Sequence, residues 1–266
     1  GDREVPAGDV REGDALALGI GPDATGVVEL TEAEAWLLGA LAGDGYVAED
    51  GKVRVTGNDL EVLAGAERAW RATTGGGATR WTGTSGFAPD RPVEAVNLTG
   101  AAEYGRWIRP QLYTERGEKR VPARVLNASL EAQLAFLKGY NATDGLRAGH
   151  SRYEFKSFET SSACLAAGLW WLAQRALGQR AILCVEDRDG RLYYQINLSV
   201  PDDERAGAKG AHLRRPLAEV VNVGRVPHEG WLFDLATESG SFHAGVGDGW
   251  IHNSPRRGET FVTRKV

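Results

Sequence analysis

The chain contains no methionine among its 266 residues and begins with Gly1. Because translation starts with methionine, we expect a processed piece of a longer product. The chain also has no run of about eighteen uncharged apolar residues, and no basic leader followed by an apolar stretch. The sequence therefore predicts neither a membrane span nor a secretory signal, and a cytoplasmic protein without a membrane partner is expected.

Cysteine is scarce, and charge is nearly balanced. Cys164 and Cys184 are the only two cysteines, and they lack the spacing of metal ligands, so we expect reduced core residues. A net charge of −5 argues against indiscriminate nucleic-acid binding, while a local basic surface remains compatible with it. Hydrophobic residues make up 42% and charged residues 25% of the chain, which is typical of one large or two ordinary soluble domains.

Two stretches share one plan, an apolar run of small residues that closes on Asp-Gly. Residues 36–46 contain Asp44, and residues 136–145 contain Asp144. Each stretch predicts a helix whose last turn carries the carboxylate, with the glycine that follows as a left-handed C-cap. Small residues lie four positions apart in both helices, which predicts that the helices approach closely. Such packing would bring the two aspartates together.

The segments around these two stretches repeat the same order. Thr31 and Glu34 form a capping-box pattern before the first helix. Alternating residues and Asp-Gly turns then predict paired strands, a further helix and more paired strands, so we expect an internal repeat of roughly a hundred residues. The predicted elements are strands within 46–55, a helix over 59–73 and strands at 78–82 and 93–99, then strands at 152–158, a helix over 161–177 and strands at 181–186 and 191–199.

The two ends of the chain have a different pattern. Residues 1–29, and the residues from Pro216 onward, consist of short β segments separated by turn residues. We therefore expect that both ends belong to one β domain and that the repeat is inserted between them.

Two carboxylates at the ends of touching helices indicate a cation-binding site. They would lie beside unpaired carbonyls and the negative ends of two helix dipoles, an environment that favours a hard cation such as Mg²⁺. A metal ion held between carboxylates and nucleic-acid phosphate supports phosphodiester hydrolysis. The alternative is that each Asp-Gly is an ordinary turn, because aspartate is common there.

The stretches Leu37–Gly45 and Leu137–Gly145 resemble the nine-residue motif of LAGLIDADG homing endonucleases. The resemblance covers about residues 31–200, with repeats at about 31–108 and 119–200. Residues 119–122 and 160–162 look like further family features. The resemblance implies an α/β (α+β) fold of two repeats, with four-stranded saddles that lie in the major groove of double-stranded DNA. It makes Asp44 and Asp144 the catalytic Mg²⁺ ligands, although alanine stands at residues 42 and 142, where the motif has its first acid.

Basic residues along the predicted hairpins are candidates for DNA contacts, through phosphates or guanine edges. A solvated strand face is the alternative for each of them. Lys156 is also a candidate for polarising the attacking water. The set is Arg54, Arg80, Arg147, Arg152, Lys156, Arg188 and Arg191.

A second chemical pattern lies at His252-Asn253-Ser254. The amide of Asn253 can attack its own backbone carbonyl and cleave the chain as a succinimide, with His252 transferring a proton. Ser254 then supplies a hydroxyl that can accept an acyl group.

Residues 230–235, 241–245 and 250–254 resemble the carboxyl-terminal splicing motifs of inteins. The resemblance makes Asp234 and His243 supporting residues, because the usual motif histidine falls at Gly240. Residues 5–10 resemble the stretch after the amino-terminal splicing block. The resemblance to inteins implies an all-β Hint-type splicing domain formed by residues 1–29 and 216–253, with an endonuclease inserted over residues 30–215. It also implies that splicing requires an amino-terminal intein segment as a partner.

Residues 254–266 resemble GDP-mannose 4,6-dehydratase and would be the host extein. The implied DNA target is then the host gene without the intein. Two alternatives stay open. The insert is a decayed endonuclease that no longer cleaves, or the chain is a dehydratase precursor fragment without activity of its own.

Overall fold

The computed structural model describes most of the chain, namely residues 2–17, 26–85, 88–145, 154–179, 181–198, 219–224, 229, 235–244, 249–252 and 261–265. Within these ranges, side chains are described for all residues except 2–3, 85, 88–91, 243–244 and 261–265.

The fold is mixed α/β with antiparallel sheets. The helices are α1 (Glu32–Ala42), α2 (Leu60–Thr74), α3 (Ala102–Leu112), α4 (Ala123–Leu126), α5 (Leu130–Asp144) and α6 (Ala163–Ala176). The strands are β1 (Asp2–Pro6), β2 (Ala15–Leu16), β3 (Gly45–Val47), β4 (Val53–Thr56), β5 (Gly77–Ser85), β6 (Ala88–Thr99), β7 (Ser157–Thr160), β8 (Ala181–Arg188), β9 (Arg191–Leu198), β10 (Ser241–Ala244), β11 (Gly249–His252) and β12 (Phe261–Lys265). None of the helices among the described residues has the length and hydropathy needed to cross a lipid bilayer.

The chain divides into two compact units. The first unit comprises Gly1–Asp23 with Arg205–Val266, and the second comprises Ala24–Glu204. The division expected from the sequence, at residues 30 and 216, stays a prediction about domains.

The second unit is built twice on one topology. The first sheet has the strand order β3-β4-β6-β5, and α2 crosses between β4 and β5. The described strands of the second sheet have the order β7-β9-β8, with α6 in the corresponding connection, and an isolated bridge joins Gly145 to Phe158 where β3 joins β4 in the first sheet. All these pairs are antiparallel, and the four-stranded arrangement expected from the sequence is present in the first repeat.

The helix starts follow from local chemistry. The Thr31 hydroxyl accepts a hydrogen bond from the Glu34 amide, so the predicted cap of α1 is confirmed. Asp59 caps α2, Ser129 caps α5 and Ser162 caps α6 in the same way. Because a capped start satisfies amide groups that the helix cannot, these residues set where each helix begins.

The predicted role of the two motif glycines as left-handed C-caps is wrong. Helix α1 ends at Ala42, and Gly45 begins β3, while Gly145 has φ −73° and ψ 139°, an extended conformation. Glycine is required instead by close packing. A Cβ at Gly45 would lie 2.4 Å from the Leu41 α-carbon, and one at Gly145 would lie 2.1 Å from Oδ1 of Asn141.

The first unit contains an antiparallel sheet of the order β1-β12-β11-β10, with β2 also paired to β12. The short β segments expected at both ends are therefore strands of one sheet in the described residues. Strand β12 lies within residues 254–266, the segment that the sequence analysis assigns to a host extein.

The cysteine prediction is half right. Both thiols are free, but both cysteines are exposed rather than in the core. Cys184 lies on β8 with its partner Gln195, on the sheet face away from the helices, and for this reason it is not covered.

Candidate metal and nucleic-acid site

Helices α1 and α5 pack backbone against backbone. A Cβ placed on Gly39 would lie 2.0 Å from the carbonyl oxygen of Phe136, and one on Gly139 would lie 2.0 Å from the carbonyl oxygen of Trp36. Any side chain at either glycine would push the helices apart. The close approach predicted from the small residues is confirmed at this contact, and it is reciprocal, as expected for two copies related by a pseudo-two-fold axis.

The same contact continues to the carboxyl ends of the helices. A Cβ on Gly43 would lie 2.1 Å from Oγ1 of Thr143 and 3.2 Å from the β-carbon of Asp144. Asp44 follows Gly43 directly, and its backbone carbonyl accepts a hydrogen bond from Thr56 of β4. Asp44 and Asp144, here called the aspartate pair, are therefore brought to one end of the helix pair, as the sequence predicted.

The aspartate pair is electrostatically strained. Both residues are exposed at the surface, yet the crowded helix ends remove enough hydration to raise both pKa values. For Asp144, burial and then the negative charge of Asp44 raise the pKa to about 6. For Asp44, burial raises the pKa and Lys119 opposes the change. Two carboxylates that resist ionisation next to each other form a site that would gain from a bound cation.

Lys119 is the functional candidate that the sequence analysis missed. Its ammonium group donates a hydrogen bond to the Gly43 carbonyl, and its charge interacts with both members of the aspartate pair. Burial lowers the pKa of Lys119 to about 8, against the attraction of Asp44 and Asp144. Its backbone carbonyl accepts a hydrogen bond of 2.5 Å from the Ser162 hydroxyl. The signal was present in residues 119–122, which were noted only as a family feature.

Lys156, the lysine chosen from the sequence, has a different setting. Its side chain is exposed just before β7, and its carbonyl accepts a hydrogen bond from the Leu198 amide. No hydrogen bond or ion pair between described residues joins Lys156 to the aspartate pair. Its catalytic role stays a prediction, and the geometry favours Lys119.

The donors of the aspartate pair fit a hard divalent cation. Carboxylate oxygens are the ligands that Mg²⁺ and Ca²⁺ prefer. Among the described residues there is no group of three or more acidic, histidine or cysteine side chains that could hold a metal ion. Within the described residues the protein would thus contribute one carboxylate from each repeat, and the remaining coordination positions would fall to water and to oxygens of a bound phosphate.

The first sheet has an open face that carries part of the predicted DNA surface. Arg54 of β4 pairs with Asn97 of β6, its Nε donates to Oδ1 of Asn97 at 2.7 Å, and its guanidinium lies 5.6 Å from the centre of the Trp81 ring. Arg80 lies opposite the buried Val96 on the other face, where its Nε is 2.6 Å from Oε1 of Glu67. The DNA contact predicted for Arg80 therefore gains no support from its placement.

The open face of the second sheet is more acidic. Arg188 of β8 contacts Oε1 of Glu159 and Oε2 of Glu186, both at 2.7 Å, and lies over the Tyr193 ring. Arg191 donates to the Ser161 hydroxyl at 3.2 Å. The predicted contacts Arg147 and Arg152 lie outside the described residues.

The splicing residues belong to the first unit, and the structure describes few of them. His252 ends β11, pairs with Ser241 and Phe261 across the sheet, and has Nε2 3.8 Å from Oε1 of Glu4. Gly240 has φ +72°, a conformation that favours glycine over the histidine usual in the motif. His243 lies on β10, and its side chain is not described, while Asp234, Asn253 and Ser254 lie outside the described residues.

Comparison with known proteins gives partial sequence matches. No protein-family model matches the chain. The chain is 29% identical over 232 residues to the replicative DNA helicase DnaB of Rhodothermus marinus, a match that covers 80% of this chain and 24% of the helicase. It is 28% identical over 151 residues to a DNA polymerase of Acanthamoeba polyphaga mimivirus, which covers 55% of this chain and 8% of the polymerase. The chain thus spans less than a quarter of either relative.

Similar solved structures are LAGLIDADG proteins. Mesophilic variants of the homing endonuclease I-DmoI match with a TM-score of 0.44 and 17% identity, over 64% of this chain and 89% of that one. I-DmoI in complex with DNA and Ca matches with the same TM-score and identity, over 68% and 88%. The homing endonuclease I-WcaI, bound to its DNA recognition sequence, matches with a TM-score of 0.40 and 12% identity, over 62% and 75%. These are distant likenesses.

Proposed function

We propose that residues 30–215 form a site-specific double-strand DNA endonuclease that depends on Mg²⁺, and that the chain as a whole is part of an intein. The observation that carries the nuclease proposal is the convergence of Asp44, Asp144 and Lys119 at the end of the α1–α5 pair. Each repeat provides one carboxylate, so that one carboxylate is available for each strand of a DNA duplex.

The residues of the chain divide the work in this proposal. The ionised carboxylates of Asp44 and Asp144 would hold the cation, and Lys119 places positive charge beside both. Mg²⁺ bound there would supply a water of lowered pKa and would stabilise the leaving oxygen. Burial raises the pKa of both carboxylates, and the charge of Asp44 raises that of Asp144 further, so a bound cation would favour their ionised forms. Lys119 stabilises the negative charge that develops on the phosphate.

The open faces of the two sheets form the proposed DNA surface. Arg54 is the strongest candidate for base readout, because Asn97 and Trp81 hold its guanidinium on the open face of the first sheet while its terminal nitrogens make no described hydrogen bond. Arg191, and Arg147 and Arg152 from outside the described residues, are proposed to contact phosphates.

The intein proposal draws support from how the sequence matches are distributed. One segment is shared with a helicase and with a polymerase, two enzymes of different activity, and it makes up only a small share of each. Such a distribution is expected of an insert that occurs in different host proteins, rather than of a part of either host's own machinery. We propose that residues 30–215 form the endonuclease, and that residues 1–29 and 216–253 form a Hint-type splicing domain.

The proposed splicing chemistry lies at the end of β11. The side-chain nitrogen of Asn253 attacks the Asn253 carbonyl carbon and gives up one proton to water, the bond to Ser254 breaks, and the departing Ser254 nitrogen takes up a proton that His252 delivers, which leaves a succinimide and a free amino group. Asp234 and His243 support this step. Residues 254–266 are proposed to be host sequence of a nucleotide-sugar dehydratase, and the DNA target is then the host gene without the insert.

A plasmid test decides on the nuclease. Supercoiled DNA that carries the uninterrupted dehydratase gene is incubated with the protein and Mg²⁺. We expect linear product from the wild type and none from Asp44→Asn, with Asp50→Asn as a matched exposed control. Cleavage that survives the loss of Asp44, or an uncut plasmid, would contradict the proposal and would favour a decayed endonuclease.

Mass spectrometry decides on splicing chemistry. We expect release of the peptide formed by residues 254–266, and suppression of that release in Asn253→Ala. A chain that stays intact with either residue argues for a host-protein fragment without cleavage chemistry.

A further inference from the structure

The two motif helices differ at one buried position beside the aspartate pair. Ala40 of α1 and Tyr140 of α5 occupy corresponding places in the repeat, four residues before Asp44 and Asp144. Both side chains are fully buried. Only the second helix therefore has a hydroxyl group that reaches its motif carboxylate.

Tyr140 connects three parts of the second repeat. Its hydroxyl lies 3.1 Å from Oδ2 of Asp144 and 2.7 Å from the carbonyl oxygen of Glu159 on β7. Its ring meets the Phe158 ring edge to face, with centroids 5.8 Å apart. The hydroxyl has a single proton, and the Asp144 carboxylate and the Glu159 carbonyl share it as acceptors.

Asp44 has no such support. No hydrogen bond between described residues reaches its carboxylate oxygens, and the charge of Lys119, which lowers its pKa, acts on Asp144 as well. The carboxylate of Asp144 is thus oriented by a residue of its own helix, while no contact between described residues orients that of Asp44 in the same way. A fixed ligand loses less entropy when it binds than a free one.

Given the proposed nuclease, we infer that Tyr140 is a positioning residue that orients the Asp144 carboxylate, so that the half-site of the second repeat is preorganised and the two DNA strands are cut with different dependence on this hydroxyl. The half-site of Asp44 works without an equivalent group. Removal of the Tyr140 hydroxyl should then slow the cut on one strand.

The test compares Tyr140→Phe with the wild type on the same supercoiled plasmid in Mg²⁺, with each strand of a linear duplex end-labelled in parallel. We expect the rate on one strand to stay within about twofold and the rate on the other to fall about 10- to 100-fold, the scale found for groups that orient metal ligands. Nicked plasmid should therefore accumulate. Tyr104→Phe is the matched control. It removes a hydroxyl on α3 that donates a hydrogen bond of 2.9 Å to the carboxylate of Glu34, near the start of α1.

A second readout does not depend on cleavage. With ¹³C-labelled aspartate, the carboxyl titration of Asp144 should move to higher pH in Tyr140→Phe, because a donated hydrogen bond favours the ionised form, while that of Asp44, which is coupled to Asp144 only through charge, should move less. Equal slowing of both strands, or an unchanged Asp144 titration, would overturn the inference. If the wild type leaves the plasmid uncut, the nuclease proposal fails by itself, and the titration alone decides on Tyr140.

Discussion

The two repeats share a backbone plan but differ in the chemistry at their helix ends. In the first, α1 stops at Ala42 and Asp44 lies beyond the helix, while in the second, α5 continues through Asp144. Asp144 is hydrogen-bonded to Tyr140, whereas no hydrogen bond between described residues reaches the carboxylate of Asp44. Duplication preserves the packing that both copies need, and the residues beside each carboxylate are free to diverge.

The sheets diverge in the same way. In the first sheet, Arg54 is held by a neutral amide and an aromatic ring, so its charge remains available to a ligand. In the second, Arg188 is neutralised by Glu159 and Glu186. A DNA-binding surface made of such halves would depend on charge unequally, and one strand or half-site would be read more by shape or by neutral hydrogen bonds.

The largest effect should come from the residue that the halves share. Because Lys119 interacts with both aspartates, Lys119→Met should slow the cuts on both strands equally, by about 100-fold or more. Strand-resolved cleavage rates in Mg²⁺ measure this. Lys156→Met, an exposed lysine away from the aspartate pair, is the control and should stay within about twofold. A larger loss in Lys156→Met would restore the choice made from the sequence.

The contact between α1 and α5 is the feature that the two repeats share symmetrically, and substitutions at its two glycines test this symmetry. Gly39→Ala and Gly139→Ala should each destabilise the fold by about 1–3 kcal/mol, because each new methyl group would meet the facing backbone at 2.0 Å. Urea unfolding followed by circular dichroism measures the change. Gly57→Ala should be nearly neutral, since nothing lies within 4 Å of the added carbon. If only one of the two substitutions is costly, the pseudo-symmetry of this contact is broken.

The sheets predict unequal losses in DNA affinity. Arg54→Ala should weaken binding about tenfold, the loss of one side-chain contact, while Arg188→Ala should cost less, because its charge is already paired with two glutamates. Fluorescence anisotropy at fixed salt, in Ca²⁺ or without a cation to limit cleavage, measures both. Arg80→Ala is the control on the covered face of the first sheet. An Arg188→Ala loss equal to that of Arg54→Ala would show that Glu159 and Glu186 release the arginine when DNA binds.

Most of the fold could be predicted from repeating sequence patterns. The alternation in residues 46–55, the cap at Thr31 and the small residues at 39, 43, 139 and 143 depend on local geometry, so the sequence could predict them. The site was half predictable. Asp44 and Asp144 recur in a motif, but Lys119 reaches the site through a bridge between Tyr113 and Lys119 after a turn, and sequence spacing does not encode that contact.

The orientation of side chains on the sheets was the other gap. Arg54 and Arg80 look alike as basic residues in strand-like segments. They lie on opposite faces because Arg54 pairs with Asn97, while Arg80 pairs with the buried Val96. Period-two alternation predicts which residues of one strand share a face. Only the register between strands shows which face the helices cover.

The smallest expected effect concerns stability at the aspartate pair, and it tests the difference between the halves without DNA. Asp144 has a pKa of about 6 in the fold, against about 3.9 in an unfolded chain. Its ionised form is therefore penalised in the folded protein, and this penalty grows as the pH rises through both values. Asp144→Asn removes it, so the variant should melt a few degrees higher than the wild type at pH 7.5 in EDTA. The gain should vanish near pH 4, where Asp144 is mostly protonated in the folded protein.

Asp44→Asn should give a gain of the same sign but smaller, because burial also raises the pKa of Asp44 while the charge of Lys119 opposes this rise, whereas the charge of Asp44 adds to the rise in the pKa of Asp144. Differential scanning calorimetry across this pH range compares the two variants. If Asp44→Asn stabilises more than Asp144→Asn, or if either gain persists at pH 4, the stability penalty does not come from ionisation of Asp144. The asymmetry between the halves would then lie in packing at Tyr140 rather than in charge.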